Sequence, residues 1–405
     1  MKVVWCLSLC LFAMQAFAVS PSPDINWTML GDAPANGSSS ISAMVRHGSD
    51  VYIGGNFQQV GSVAASNVAR WDGAQWHALG SGTDPNITAM AVDIMGNLYI
   101  AGEIFQAGGV PVQRLAHWNG SQWSAITTSV NGSVSALASG ASGHLYMGGS
   151  FTAVDGSAAN NVAVWDGSQW SPLGNGVNDD VTTIAVDTQG NVYAGVCLYD
   201  YVNSEIDYFH GYVAQWNGSQ WQILGNFLAL GCIDSLAVDS AGNVFAGGER
   251  GNNGIQGTYL ARWDGSTWIA MANTGYYTLS HLAINADDDL YAVGGFTRAC
   301  AGGIPYCFNW VNHLVHWDGT GWNSLGTEIN AAGPLLFDST GNLLVGGSFQ
   351  TLDGGFSALV GKWLLLDADG DGVGDEADAF PANPAEWLDT DHDGTGNNAD
   401  TDDDD

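Results

Sequence analysis

Apolar residues in this chain come in short alternating runs broken by turns rich in glycine, asparagine and aspartate, and the arrangement returns roughly every 47 residues. Alternation with period two predicts strands, and the three-and-four spacing of a helix face is missing. A typical unit runs Met90-Ala-Val-Asp-Ile-Met-Gly-Asn-Leu-Tyr-Ile-Ala-Gly102: an apolar strand, a turn, and a second strand ending in glycine. Leu236 to Gly248 repeats it. A second pattern, Trp-Asp/Asn-Gly-x-x-Trp, starts at Trp71, Trp118, Trp165, Trp216, Trp263 and Trp317, and Trp363 takes the first position of a seventh unit. Asp-Gly and Asn-Gly suit tight hairpins because both residues tolerate positive φ.

Each unit therefore reads as four strands. In the second unit strand a is Ala89–Asp93, b is Leu98–Gly102, c is Leu115–Trp118 and d is Trp123–Ile126. Four short strands in such a period are what a propeller blade requires, and the period is too long for a β-solenoid coil. The prediction is an all-β, seven-bladed β-propeller over residues 24–366. The two tryptophans of each turn are expected to face each other across strands c and d, as core rather than as a cofactor stack. The seventh unit has strands a, b and c (Leu335–Asp338, Leu343–Gly347, Ala358–Trp363) but no d, while Asn26–Gly31 matches a strand d with nothing ahead of it. The N-terminal strand is thus expected to complete the last blade and remove the open edge. The residue before each first tryptophan (Arg70, His117, Val164, Gln215, Arg262, His316, Lys362) is expected to bridge to a neighbouring blade.

Composition agrees with this picture and adds a boundary. The 405 residues are 46% apolar, with 17 Trp and 56 Gly but only 12% charged side chains, enough to fill a large core of strands and turns. The net charge of −33 argues against nucleic acid or anionic membrane as a partner. Residues 367–405 hold 15 acidic and no basic side chains, against 26 acidic and 7 basic in residues 19–366, so composition shifts near 366. At the other end Lys2, the apolar stretch Val3–Phe17 and Ala16-Phe17-Ala18 form a cleavable export signal over residues 1–18. No other run is long enough to cross a bilayer. An exported protein, extracellular or on the cell surface and monomeric, is expected.

The repeats of residues 24–366 resemble the propeller repeats of secreted bacterial proteins and of fungal cortical polarity markers, related to the kelch and galactose-oxidase central-domain class. The Gly-Gly pairs 54–55, 148–149, 247–248, 294–295 and 346–347 carry the likeness, although the tyrosine of kelch repeats is mostly absent before the following tryptophan. The resemblance implies a fold and a binding habit, and no reaction.

The acidic tail carries the sharpest chemical pattern. Asp367, Asp369, Asp371, Gly372, Val373, Asp375 and Asp378 fall at positions 1, 3, 5, 6, 7, 9 and 12 of a calcium loop. Asp389, Asp391, Asp393, Gly394, Thr395, Asn397 and Asp400 repeat the spacing. Alternate carboxylates, a glycine at the sharp turn and a carbonyl from Val373 or Thr395 would surround this hard cation with oxygens. Position 12 is Asp rather than Glu and no flanking helices are readable. Together with Ala379-Phe-Pro381, this makes the tail similar to thrombospondin type-3 repeats.

A propeller presents its a–b and c–d turns on one face and its b–c and d–a loops on the other. The second set varies in length here, and variable loops on a rigid scaffold are where binding usually sits. Blade 4 carries an insertion from Cys197 to His210 and blade 6 one from Arg298 to Asn312. Their aromatic and charged residues, Tyr199, Asp200, Tyr201, Glu205, Asp207, Tyr208, Arg298, Tyr306 and Trp310, suit stacking on a glycan or gripping a protein loop. The same end gathers the cysteines outside the signal, and an oxidising compartment predicts disulfides Cys300–Cys307 and Cys197–Cys232. No nucleophile elbow, zinc-protease motif or phosphate loop is present, so no catalytic residue is assigned. A glycosidase or lyase using Asp200, Glu205 and Asp207 is the alternative, and a purely structural surface protein a further one.

Overall fold

The computed structural model describes residues 27–30, 39–202, 205–225, 230–250, 260–272, 279–294, 314–317, 322–325, 333–347 and 360–363, with Phe380, Asn383 and Ala385. Those residues form seven four-stranded antiparallel sheets and three small hairpins, with no helix among them. In blade 2 the strands are Ile87–Val92, Leu98–Gly102, Leu115–Trp118 and Trp123–Ala125, within two residues of their sequence-based bounds. The innermost strands are Ser40–His47, Ile87–Val92, Ser133–Ser139, Asp180–Val186, Leu230–Val238, Leu279–Ile284 and Leu335–Phe337. Each touches the next, and the last touches the first, so the sheets close into a ring. The closing blade takes its outer strand from the N-terminal side: Trp27–Met29 pairs with Val360–Trp363, with Trp27 opposite Trp363. No described helix is long and apolar enough to cross a membrane.

Two repeated devices join blade to blade. The first is the tryptophan pair. Trp71 and Trp76 lie opposite each other with ring centroids 5.4 Å apart, and blades 2 to 6 repeat the tilted pair at 5.3 to 5.8 Å. The second ring of each pair also reaches across the joint. Its indole N–H donates to a carbonyl at the end of the preceding blade: Trp76 to Leu30, Trp123 to Leu79, Trp170 to Ile126, Trp221 to Leu173, Trp268 to Leu224 and Trp322 to Met271, at 2.7 to 3.3 Å. A net contribution of about 1 kcal/mol per bond is the usual scale. The local pattern predicts a packing role for these rings and carries no sign of the donor.

The second device is a bulge. The inner ladder skips a residue between Ile41 and Ala43, Ile87 and Ala89, Val134 and Ala136, and Val181 and Thr183. A bulge re-aims the extra side chain. Here the Thr88 hydroxyl is shared between Ala101 of its own blade and, at 2.9 Å, the Val134 carbonyl of the next. Ser42 and Thr182 do the same toward Ile87 and Ile233. The glycine pairs serve both sides of the bulge: a Cβ on Gly54 would lie 2.6 Å from Met90 Sδ of blade 2, and one on Gly149 would enter the Ser133 carbonyl of its own inner strand.

Arg70, His117, Gln215, His316 and Lys362, each just before a first tryptophan, find partners within their own blade, which corrects the expected bridge to a neighbour. Arg70 pairs with Asp50 at 2.9 Å, Lys362 with Asp338 at 3.3 Å, and Gln215 donates to the Tyr193 hydroxyl at 3.1 Å. Strand c lies beside strand b in the same sheet, so the side chain next to the tryptophan reaches its own a–b turn first.

Blade 6 departs from the small residues that the other blades put just after the bulge. Ala43, Ala89, Ala136, Thr183 and Ser235 are matched there by His281, opposite Val293. The position faces the next blade, since Ser235 accepts the Leu282 N–H at 2.9 Å. Burial pushes the His281 imidazole down to about 4. Free histidine titrates near 6.5, so between these values the unfolded chain holds more protons than the folded one. Stability is therefore complete above pH 6.5 and falls as pH drops toward 4, by a total on the order of 3 kcal/mol. Urea titrations at pH 7.5 and 4.5 should show this loss in the native protein and a clearly smaller one in His281→Leu, where only His117, also held down by burial, still contributes among the described histidines. The turn aspartates Asp166 and Asp264, held down to about 2 by backbone N–H donors, titrate below that window.

Candidate functional site

Many carboxylates of the ring are consumed by its turns. Asp93 accepts the N–H groups of Met95 and Asn97 at 2.9 Å, and its other oxygen takes the Asn97 amide and the Tyr99 hydroxyl. Asp187 repeats the pattern with Gln189, Asn191 and Tyr193. Burial first, then the adjacent aspartate charge, pushes both phenols up to about 12, which keeps them protonated as donors. In the c–d turns Asp72, Asp166 and Asp264 accept two backbone N–H groups each. Such carboxylates close the turns they sit in. Among the described residues no group of three or more His, Cys, Asp or Glu side chains is placed to hold a metal ion.

The inner strands enclose a cavity of about 470 Å³ lined by Arg46, Val92, Ser139, Ile284, Phe337 and their neighbours on five blades. The lining residues are apolar in type apart from Arg46 and Ser139, and Arg46 is the only charged residue among them. The cavity opens toward the ends of strands a, where the a–b turns lie.

On the opposite face the b–c and d–a loops interlock. The d–a residue Asp84 accepts the N–H groups of Phe105 and Gln106, each at 2.9 Å, and Asn131 does the same for Thr152 and Ala153. Asp155, on the blade 3 hairpin, takes the hydroxyls of Thr127 and Thr128 and the N–H groups of Thr128 and Ser129 on one oxygen.

Blade 4 breaks from this interlocked rim. Its strands b and c run on as Val192–Val202 and Glu205–Trp216, far longer than the four to seven residues of the other blades' b and c strands. The inserted segment is thus a continuous ladder rather than a loop. Tyr199 pairs with Phe209, Asp200 with Tyr208, Tyr201 with Ile206 and Val202 with Glu205, and a register shift leaves Asp207 as the extra residue. All six blade 4 candidates, Tyr199, Asp200, Tyr201, Glu205, Asp207 and Tyr208, are therefore brought onto one hairpin. At its root Cys197 is bonded to Cys232 of blade 5, across a Cα separation of 4.4 Å, as expected from the sequence. Both cysteines are buried. Arg298, Tyr306, Trp310 and the Cys300–Cys307 pair lie outside the described residues, as do the tail positions Asp367 to Asp378 and Asp389 to Asp400.

Comparison with known proteins bears on the fold. No curated protein matches the sequence. Among solved structures the chain is similar to YCF48 bound to D1 peptide, at 13% identity and a TM-score of 0.50 over 84% of this chain and 96% of that one. It is similar to PorZ, an essential bacterial surface component of the type-IX secretion system of Porphyromonas gingivalis, at 14% identity and a TM-score of 0.52, covering 85% of this chain but only 49% of that one. Virginiamycin B lyase from Staphylococcus aureus matches at 8% identity and a TM-score of 0.50, over 83% of this chain and 98% of that one. At such identities the likeness is one of fold, whatever each protein binds. Residues 27–186 match the family model of the Rax2 C-terminal beta propeller domain, which agrees with the β-propeller seen in the structure.

Proposed function

We propose that this protein is an exported binding or adhesion module, extracellular or on the cell surface, that recognises a glycan or protein with the b–c face of its propeller. The observation that carries the reading is the blade 4 hairpin. A scaffold that otherwise repeats its strands and spends its carboxylates on turns extends one pair of strands, loads it with tyrosines and acids, and anchors it covalently. A disulfide across two blades fits an oxidising compartment. The tail is the second part of the proposal: two calcium loops, led by Asp367 and Asp389, would stiffen a stalk that otherwise repels itself.

The test is a thermal-melt screen of residues 19–366 and 19–405 against oligosaccharides and divalent cations, with a chelator control and with a variant in which residues 199–208 are replaced by Asn-Gly. A ligand that binds only the folded state raises the melting point by mass action. The expected result is a sugar or protein that shifts both lengths but not the shortened hairpin, with calcium acting only on the longer chain. A screen in which every active ligand shifts the shortened variant equally would sink the hairpin reading, and turnover of a bound sugar would move the assignment to a glycosidase or lyase.

A further inference from the structure

Blades 1, 2 and 3 build the same small hairpin between strands b and c, and blade 2 departs from the other two at one spot. The pairs are Gln59–Val60 with Val63–Ala64, Gln106–Ala107 with Val110–Pro111, and Ala153–Val154 with Ser157–Ala158. In blades 1 and 3 an asparagine in the left-handed region anchors the hairpin. Asn67 (φ 67°) accepts the Phe57 N–H at 3.2 Å and donates to the Thr83 carbonyl at 2.6 Å. Asn161 (φ 61°) does the same with Phe151 and Val177, both at 3.0 Å.

The matching residue of blade 2 is Arg114, at φ 66°. Its backbone keeps the family of bonds, donating to Ile104 at 2.9 Å and accepting from Gly102 at 3.1 Å, as Asn67 does with Phe57 and Gly55. Asparagine enters the left-handed region readily and arginine does not. The Arg114 side chain pairs instead with Glu103, and its guanidinium carbon lies 5.8 Å over the Phe105 ring. Glu103 stands where the other blades have Asn56 and Ser150, and Phe105 where they have Gln58 and Thr152. Phe105 is 49% exposed, although its backbone is pinned by Asp84, and Val110 across the hairpin is exposed too. Three replacements at one spot thus give up a buried anchor for an exposed ring, with a guanidinium on one side and a carboxylate beside it.

We propose that Phe105, Arg114 and Glu103 form a subsite for a neutral sugar ring on blade 2, separate from the blade 4 hairpin. The free face of Phe105 takes the apolar C–H face of the sugar, while Glu103 accepts from and Arg114 donates to its hydroxyls. Arg114 also holds the ring in place before the ligand arrives, which lowers the ordering cost of binding. Uronates and other anionic sugars are disfavoured by a chain of net charge −33.

The experiment is native electrophoresis of the whole chain in gels containing β-glucan, xylan, mannan or galactan, alongside melting curves. At least one polysaccharide should retard the native protein. Phe105→Gln, which installs the blade 1 residue, should keep the melting point and weaken retardation about tenfold or more. Arg114→Asn, which restores the anchor of the other blades, should melt higher by roughly 2 °C and lose retardation. No retardation by any of the four overturns the proposal, as does an unaffected Phe105→Gln. An Arg114→Asn that melts lower would make the arginine a structural ion-pair partner, which also overturns it. Shortening the blade 4 hairpin should leave retardation intact; loss there with retention in Phe105→Gln would place the sugar on blade 4 instead.

Discussion

A chain starting at Asp32, and so lacking the strand Trp27–Met29, is expected to melt roughly 10 °C or more below the native protein, or to be insoluble. The strand lies on the outside of blade 7 and supplies the fourth partner of that sheet, opposite Val360–Trp363. Without it strand c becomes an open edge of unpaired N–H and C=O groups, which templates aggregation. The Leu30 carbonyl goes with it, and Trp76 of blade 1 then has a buried indole N–H with no acceptor at its 2.8 Å position. Both joints of blade 7 suffer, because the same few residues close the sheet and stitch it to blade 1. The loss exceeds about 4 kcal/mol on the scale of disrupted buried networks. Adding a peptide of residues 24–31 in trans should recover part of the melting point. A truncated chain that melts within 2 °C of the native protein would show that the ring is closed by other contacts.

The blades, their order and the closing strand were legible because each is dictated by local sequence: a period, a turn chemistry and a strand missing at one end and present at the other. The tryptophan pairs were legible for the same reason, as the four-residue turn sets the rings opposite each other. What escaped was the reach of single atoms between blades. The indole donors and the bulge hydroxyls act over 44 to 51 residues, and nothing in the local pattern says which carbonyl they meet. Arg70 and Lys362 were misplaced because a charged residue with no local partner looks free in sequence, while the adjacent strand of its own sheet brings Asp50 or Asp338 within reach. The blade 4 insertion reads as a loop because its Asp200 and Asp207 are turn formers, yet the ladder runs through Asp200 and steps over Asp207 by a register shift. The blade 2 platform had a signal, the mismatch of Arg114 with Asn67 and Asn161, but only the left-handed φ shared by all three shows that the positions are equivalent.

Reduction of Cys197–Cys232, or its replacement by two serines, is the second large effect. The bond closes a segment with a sequence separation of 35, for which chain entropy predicts a loss of about 3 to 4 kcal/mol when it is cut. Its position adds a local consequence. Cys197 sits opposite Asp180, at the last rung where strand b of blade 4 still pairs with the inner strand. Beyond that rung only strand c supports it, out to Val202. The disulfide therefore fixes the base of the projecting hairpin to the inner strand of blade 5. Cutting it should lower the unfolding midpoint in urea and also weaken any ligand held by the hairpin, whereas blade 2 should keep its sugar. An unchanged midpoint in the presence of a phosphine reductant, with both thiols alkylated afterwards, would show that the bond contributes nothing to the joint. A changed midpoint with undiminished hairpin binding would separate the two roles and leave the bond a staple between blades alone.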